Sequence, residues 1–439
     1  MNLSDELVAR VNAARDDDAA VAILRDLVSI PSVTGDEEAA ARWAADQLRG
    51  VVSAVEVDVF APNRANTWAT WGTDTESASG GLLFLGHLDT VHVRGWTEHW
   101  AGTERESPYG APIIDGAVWG RGVADCKGGI AVLIAALRQL HRSGLAPVKP
   151  VTALFVADEE SGEEGSGTSE GIKRAIAVAD RMPIRADLAI YGEPTTMQVY
   201  TSHMGFFITD IVLTGKSAYF GRPELGVDAL RAADEVLRAL WAHDEDLRTR
   251  AADPLIGTPS LLVTGVTGGG SVAVPGECRL SIIRKLTPDE DLSAARDELE
   301  AVIRGAISDP RVTVSTSYPA SRDHELGGTP HVTDPEFEPV RMLQQIVKRH
   351  LPDRGDIDAG PYWSEGPFLR RDLGIPTVYL APGDISHCHT FDEHMNVDEY
   401  LAAVSVYLQF IVDYCGVRDL GHPSGTAPHH TSANPGREG

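Results

Sequence analysis

Four apolar runs in this chain each end, within a few residues, in an imidazole or a carboxylate, and nothing else in the sequence restricts the fold as much. They are LLFLGHLDT (82–90), LFVADEESGEEG (154–165), AIYGEPT (189–195) and YLAPGDISHCHTFDE (379–393). Short continuous apolar runs bounded by turn residues read as strands buried on both faces. Between the first two lies a helical stretch, residues 129–141, whose Ile130, Leu133, Ile134 and Leu137 fall at i, i+3, i+4 and i+7. Strands alternating with helices predict an α/β sheet covered on both faces, and the ends of strands are where such sheets bind ligands.

The rest of the chain fits around that sheet. Residues 4–29 have helical periodicity stopped by Pro31, and 51–60 reads as a strand. From Gly205 the texture changes to an α+β block: strands at 206–215, 260–266, 278–286 and 311–318, and helices at 227–240 and 289–307. It reads as an insertion, after which a helix at 336–350, the strand at 377–383 and a helix at 396–414 return the chain to the first sheet. The predicted division is a discontinuous domain of 1–204 and 325–416, an inserted domain of 205–324, and a disordered tail at 417–439 rich in Gly, Pro, Ser and Thr. A length of 439 residues also favours two domains.

Composition removes several functions. Lys+Arg 38 against Asp+Glu 64 gives a net charge of -26, which repels nucleic acid. No segment approaches the ~18 apolar residues of a membrane span, and MNLSDELVAR lacks the build of a secretory signal, so a cytoplasmic protein is expected. Cys126, Cys278, Cys388 and Cys415 are widely spaced without a CxxC, which predicts neither a disulfide framework nor a thiolate zinc site.

Each chemistry-bearing position also has a bland reading. His87 and Asp89 are two apart and leave an extended backbone by the same face, as a cation ligand and its orienting carboxylate or as a hydrogen-bonded structural histidine. In VWGRGVADCKGG, Asp125 sits in a glycine-crowded turn, where a helix N-cap is the alternative. Glu159 and Glu160 are adjacent and point apart, so one can meet a metal and the other a substrate or water; Glu163 and Glu164 read as a solvated loop. Glu193 before Pro194 has a loop carboxylate as its alternative, and His387 and His389 a structural pair. Oxygen and nitrogen donors without thiolates suit zinc, cobalt or manganese, and there are enough for two ions sharing one carboxylate.

Taken together, HLDT, GRGVADCKGG, DEES, GEPT and CHTFDE resemble the metallopeptidase M20 family, the acetylornithine deacetylase and succinyl-diaminopimelate desuccinylase group with its carboxypeptidase and aminoacylase relatives. The resemblance spans roughly residues 30–414 with the motifs in the family's order. It implies an aminopeptidase-like catalytic domain with two divalent metal ions, zinc with cobalt or manganese as alternatives, and an inserted lid that dimerises. By position it implies that His87 and Glu193 hold one ion, Glu160 and His389 the other, and that Asp125 bridges them, with a cis bond to Cys126. Asp89 would orient His87, Glu159 would be the general base, and His387 would stand outside the ligand set.

WSEGPFL (363–369) is similar to the TEAPF pattern of acetylornithine deacetylases. The segment VAVPGECRLSIIRKLTP (272–288) is similar to the lid segment whose arginine grips a substrate carboxylate, here Arg284. Val272 stands where relatives have asparagine, and Tyr219 where they have a histidine that reaches the carbonyl under attack. Tyr219 could donate to the oxyanion, shape an acyl pocket, or mark lost turnover. The implied reaction is hydrolysis of an N-acyl amino acid or similar small amide, with a dipeptidase or carboxypeptidase, and then a non-catalytic metal-binding protein, as alternatives.

Overall fold

The computed structural model describes residues 5–72, 80–160 and 167–420. Its centre is a nine-stranded sheet in the order Ala54–Ala61, Arg64–Trp71, Val151–Val156, Leu82–His87, Leu188–Tyr191, Thr377–Tyr379, Val199–His203 and His331–Val332, with Ile357–Gly360 also pairing with Val199–His203. The four strands from Val151–Val156 to Thr377–Tyr379 are mutually parallel and buried throughout. Their carboxyl ends therefore lie along one edge, and all four predicted acid and imidazole stretches leave from it.

Beneath the sheet, helix Lys127–Arg142 is buried on nearly every side, between strand Leu82–His87 and the helices Asp17–Val28 and Val397–Cys415. Its first turn passes so close to the Glu193 loop that a Cβ on Gly129 would lie 2.3 Å from the Gly192 carbonyl. Glycine is required there because backbone meets backbone.

A second sheet, in the order Ser260–Gly268, Glu277–Leu286, Gly205–Thr214 and Thr313–Ser317, carries helices Ala229–Leu247 and Leu292–Ala306 on one face and has its own apolar core. The chain leaves the large sheet at His203 and returns at His331, and these two residues face each other across an antiparallel ladder. No helix among the described residues is long and apolar enough to cross a membrane.

Some elements differ from the sequence expectation. The single helix over 4–29 is two, Asp5–Ala13 and Asp17–Val28, because Asp16 turns its side chain onto the Ala19 amide and caps the second. Strand Arg64–Trp71 escapes notice because its buried positions include Asn66 and Thr67, whose side chains bond backbone carbonyls. The expected tail begins in a strand, Val417–Asp419, paired with Leu145–Pro147. Residues 421–439, and Glu163 and Glu164, lie outside the described residues.

Candidate metal centre and active site

The strand ends bring His87, Asp125, Glu160, Glu193 and His389 together. His87 Nε2 lies 2.9 Å from Asp125 Oδ1 and 3.9 Å from Glu193 Oε2. His389 Nε2 lies 2.9 Å from Glu160 Oε1 and 3.2 Å from Asp125 Oδ2. Each oxygen of Asp125 thus faces a different imidazole, and each imidazole has its own second carboxylate. Donors around one tetrahedral zinc stand roughly 3.3 Å apart, given bonds of ~2.0–2.1 Å. The spacing and donor types fit two divalent ions, with Asp125 as the shared carboxylate.

Electrostatics point the same way. In the metal-free chain burial, reinforced by Asp125 and only partly offset by His389, pushes Glu160 up to about 7. Burial likewise pushes Glu193 up to about 8, with His87 opposing and Asp125 reinforcing. Asp125 is held below the usual range: burial would raise it, but hydrogen bonds from His389 and His87 win. Burial would lower His389, yet Asp125 and Glu160 hold it up at about 11. The imidazolium protons thus stand where cations would bind, and a crowd of buried carboxylates of this kind calls for positive charge.

Cys126 also lies within reach of His87 and Glu193, but its Sγ donates to the Gly192 carbonyl at 3.0 Å and burial holds it as a thiol. The peptide between Asp125 and Cys126 is cis. One other His and carboxylate grouping among the described residues, His243, Asp246 and Glu298 in the second sheet's layer, already has the Arg250 guanidinium bonded to both acids.

Asp89 has a different task from the one the HxD spacing suggests. His87 Nδ1 is 3.0 Å from the backbone carbonyl of Asp89 and 3.6 Å from its carboxylate, so the carbonyl orients the ring. The carboxylate instead accepts the amides of Glu159 at 3.2 Å and Glu160 at 2.9 Å and the Thr34 hydroxyl at 2.9 Å. It fixes the turn that presents both glutamates. Asp158, at φ +71°, completes that turn, tied by Arg64 and by the amides of Gly167, Thr168 and Glu170. Glu159 is half-buried; burial raises its proton affinity well above the carboxylate range, His87 opposes this, and Glu193, Glu160 and Glu365 add to it.

Several supports escape sequence reasoning. Glu393, fully buried, accepts the amides of Ala124 and Asp125 and pairs with Arg121 at 2.6 Å, holding the Asp125 turn. Ser364 donates to Glu193 at 2.9 Å, and Tyr191 to Glu365 at 3.0 Å. Both partners lie inside WSEGPFL, so that motif is the signal. His387 stands apart, its ring 4.5 Å from that of His394.

The two substrate-side residues behave differently. Arg284 is fully buried on the face of its strand shared with Leu280, Ile282 and Leu286, where it bonds Glu290 at 2.5 Å and the Lys285 carbonyl. This corrects the carboxylate-gripping role: the guanidinium is an internal ion pair of the small sheet's helical layer. Arg284→Met should therefore lower stability by about 1–3 kcal/mol, seen as a lower Tm, and leave KM within roughly twofold. A large rise in KM with unchanged Tm would restore the substrate role. Tyr219 is 64% exposed, its ring 4.6 Å from that of Phe220, and its hydroxyl has no hydrogen bond among the described residues.

A large mixed sheet with a two-ion donor set at the carboxyl ends of its parallel strands defines a metal-dependent amide hydrolase, and the model of Peptidase family M20/M25/M40 matches residues 83–413. The chain belongs to that family. It is similar to the curated acetylornithine deacetylase of Proteus mirabilis strain HI4320, 27% identical over 409 residues, 90% of this chain and 96% of the relative. Among solved structures it resembles human carnosine dipeptidase 1, with a TM-score of 0.68, 16% identity, and coverage of 94% of this chain and 99% of the other. It also resembles the Bacillus subtilis dinuclear metal binding peptidase of the M20 family, with a TM-score of 0.61, 13% identity, and coverage of 91% and 98%.

Proposed function

We propose that the chain hydrolyses the amide bond of an N-acyl amino acid, releasing a carboxylate and a free amino acid. The observation that carries this reading is the turn held by Asp89, which presents Glu160 to the ion site and Glu159 beside it. Support for the substrate class comes from the deacetylase relative and from WSEGPFL. His87, Asp125 and Glu193 would hold one ion and Asp125, Glu160 and His389 the other; zinc suits the donors, with cobalt or manganese as alternatives. Such ions supply Lewis-acid polarisation of the carbonyl and make water acidic near neutral pH.

The chain's own part is proton handling. A carboxylate oxygen of Glu159 takes a proton from the attacking water as its oxygen bonds the acyl carbon. The same group then delivers that proton to the amide nitrogen as the C–N bond breaks. The test is EDTA-sensitive release of primary amine from a panel of N-acetyl, N-succinyl and N-formyl amino acids and of dipeptides. Turnover of the dipeptides alone would move the assignment to a dipeptidase, and no turnover by metal-loaded protein would reject it.

The small sheet serves as a lid through which two copies of the chain pair. Its outer strand Ser260–Gly268 exposes Leu262 and Val266, and the neighbouring helix exposes Leu230 and Trp241. Sedimentation equilibrium giving a monomer at micromolar concentration would reject this pairing. Tyr219, also on the lid, donates its hydroxyl to the developing oxyanion when the lid covers an active site. Tyr219→Phe should then lower kcat roughly 100-fold with little change in KM or Tm; a change confined to KM would make the ring a pocket wall.

A further inference from the structure

The return from the small sheet to the large one carries a buried guanidinium without an ion pair among the described residues. It belongs to Arg322, which is only 8% exposed. Its Nη1 donates to the neighbouring Ser321 carbonyl at 3.3 Å, and its Nε and Nη2 find no acceptor there. Its position is fixed from two sides. The Arg322 amide bonds the carbonyls of His324 and Gly327, both at 3.1 Å, which pins the backbone. The guanidinium lies 6.0 Å from the Phe206 ring and 5.9 Å from the Trp363 ring, which themselves meet nearly edge to face at 6.0 Å. Trp363 is held by its Nε1 on the Thr329 carbonyl at 3.1 Å and lies against Gly328, where a Cβ would come within 2.5 Å of the indole.

Burial holds the Arg322 guanidinium below its usual proton affinity, and the carboxylates of Glu159, Glu365 and Asp158 offset this only in part. Trp363, against which it lies, directly precedes Ser364, the donor to Glu193. Glu365, one residue beyond the serine that bonds Glu193, leaves its Oε1 unbonded. Burying a cation without a counter-ion is costly, and a site built this way gains most when an anion arrives. A planar guanidinium at the edge of two rings still has parallel donors to offer a carboxylate.

We propose that Arg322 binds the carboxylate of the substrate, the part that Arg284 cannot play from inside the lid, and this rests on the N-acyl amino acid reading above. Because Phe206 follows one lid crossover, Arg322 precedes the other and Trp363 belongs to the catalytic domain, the carboxylate ties all three together when it binds.

The experiment compares metal-loaded wild type, Arg322→Met and Arg322→Lys on the best substrate of the panel and on its C-terminal carboxamide. Wild type should prefer the carboxylate. Arg322→Met should lose roughly 10- to 100-fold in kcat/KM on the carboxylate while staying within about threefold on the carboxamide, with Arg322→Lys between. Added guanidinium should restore part of the Arg322→Met loss on the carboxylate alone. If the panel selects a dipeptide, the pair becomes that dipeptide and its amide, so the two readings fail separately. Calorimetric titration of metal-loaded Glu159→Gln, with and without Arg322→Met, using N-acetyl amino acid and its amide gives the same comparison without turnover. Equal losses on acid and amide, or a shifted acid limb of the kcat profile with discrimination unchanged, would overturn the assignment and leave Arg322 a positioning residue for Glu159.

Discussion

Glu159→Gln should retain its metal and lose roughly a thousand-fold or more in kcat. The magnitude follows from the ~100- to 10,000-fold that a positioned acid–base group typically contributes. The substitution keeps the shape and both hydrogen-bonding ends of the side chain, and the turn beneath it is held by backbone amides on Asp89 rather than by the Glu159 carboxyl. Folding and ion binding should therefore be spared. Metal content by plasma emission and single-turnover kinetics on the same preparation decide the matter. Full activity, or loss of activity in proportion to loss of metal, would remove Glu159 from the proton path.

Asp125→Asn should act more broadly, because one carboxylate faces both imidazoles, at 2.9 and 3.2 Å. An amide offers one oxygen and one N–H donor, so it cannot serve two ions. Metal content should fall below one ion per chain and activity to the level of EDTA-treated protein. The metal-free fold should suffer as well: removing one partner from a buried charged cluster costs about 3–5 kcal/mol. The variant should thus melt below wild type even in EDTA. Two ions per chain in the variant would show that Asp125 is not shared.

The way the sequence encodes this site explains which parts could be read from it. His87, Glu160 and Glu193 are legible because each follows a run that must be a strand, and a parallel sheet collects strand ends on one edge. Asp125 is legible from the glycines that let the helix start pass the Glu193 loop. Glu393 and Thr34 are not, since their partners lie 268 or 269 and 55 residues away and only the folded sheet selects them. Asp89 is half legible: the spacing finds its neighbour His87, but the carbonyl rather than the carboxylate takes the ring proton because the carboxylate already holds two amides.

Arg284 shows the opposite case. Residues alternate along Glu277–Leu286 with Cys278, Leu280, Ile282 and Leu286 buried, so strand parity alone puts Arg284 on the apolar face. Motif resemblance argues for the substrate, and local geometry overrules it. Arg322 carries no pattern of its own, because its setting is made by Phe206 and Trp363 from distant parts of the chain.

The ladder between His203 and His331 has an engineering consequence. Everything from Gly205 to Pro330 enters and leaves through two strands that sit side by side, so the ends of that segment are already closed by the scaffold. Exchanging that segment for another of different size changes the loop-closure entropy only logarithmically with its length. The carboxylates and imidazoles at the strand ends of the large sheet can thus stay constant while the small sheet, and with it Tyr219 and Arg322, is exchanged as a cassette.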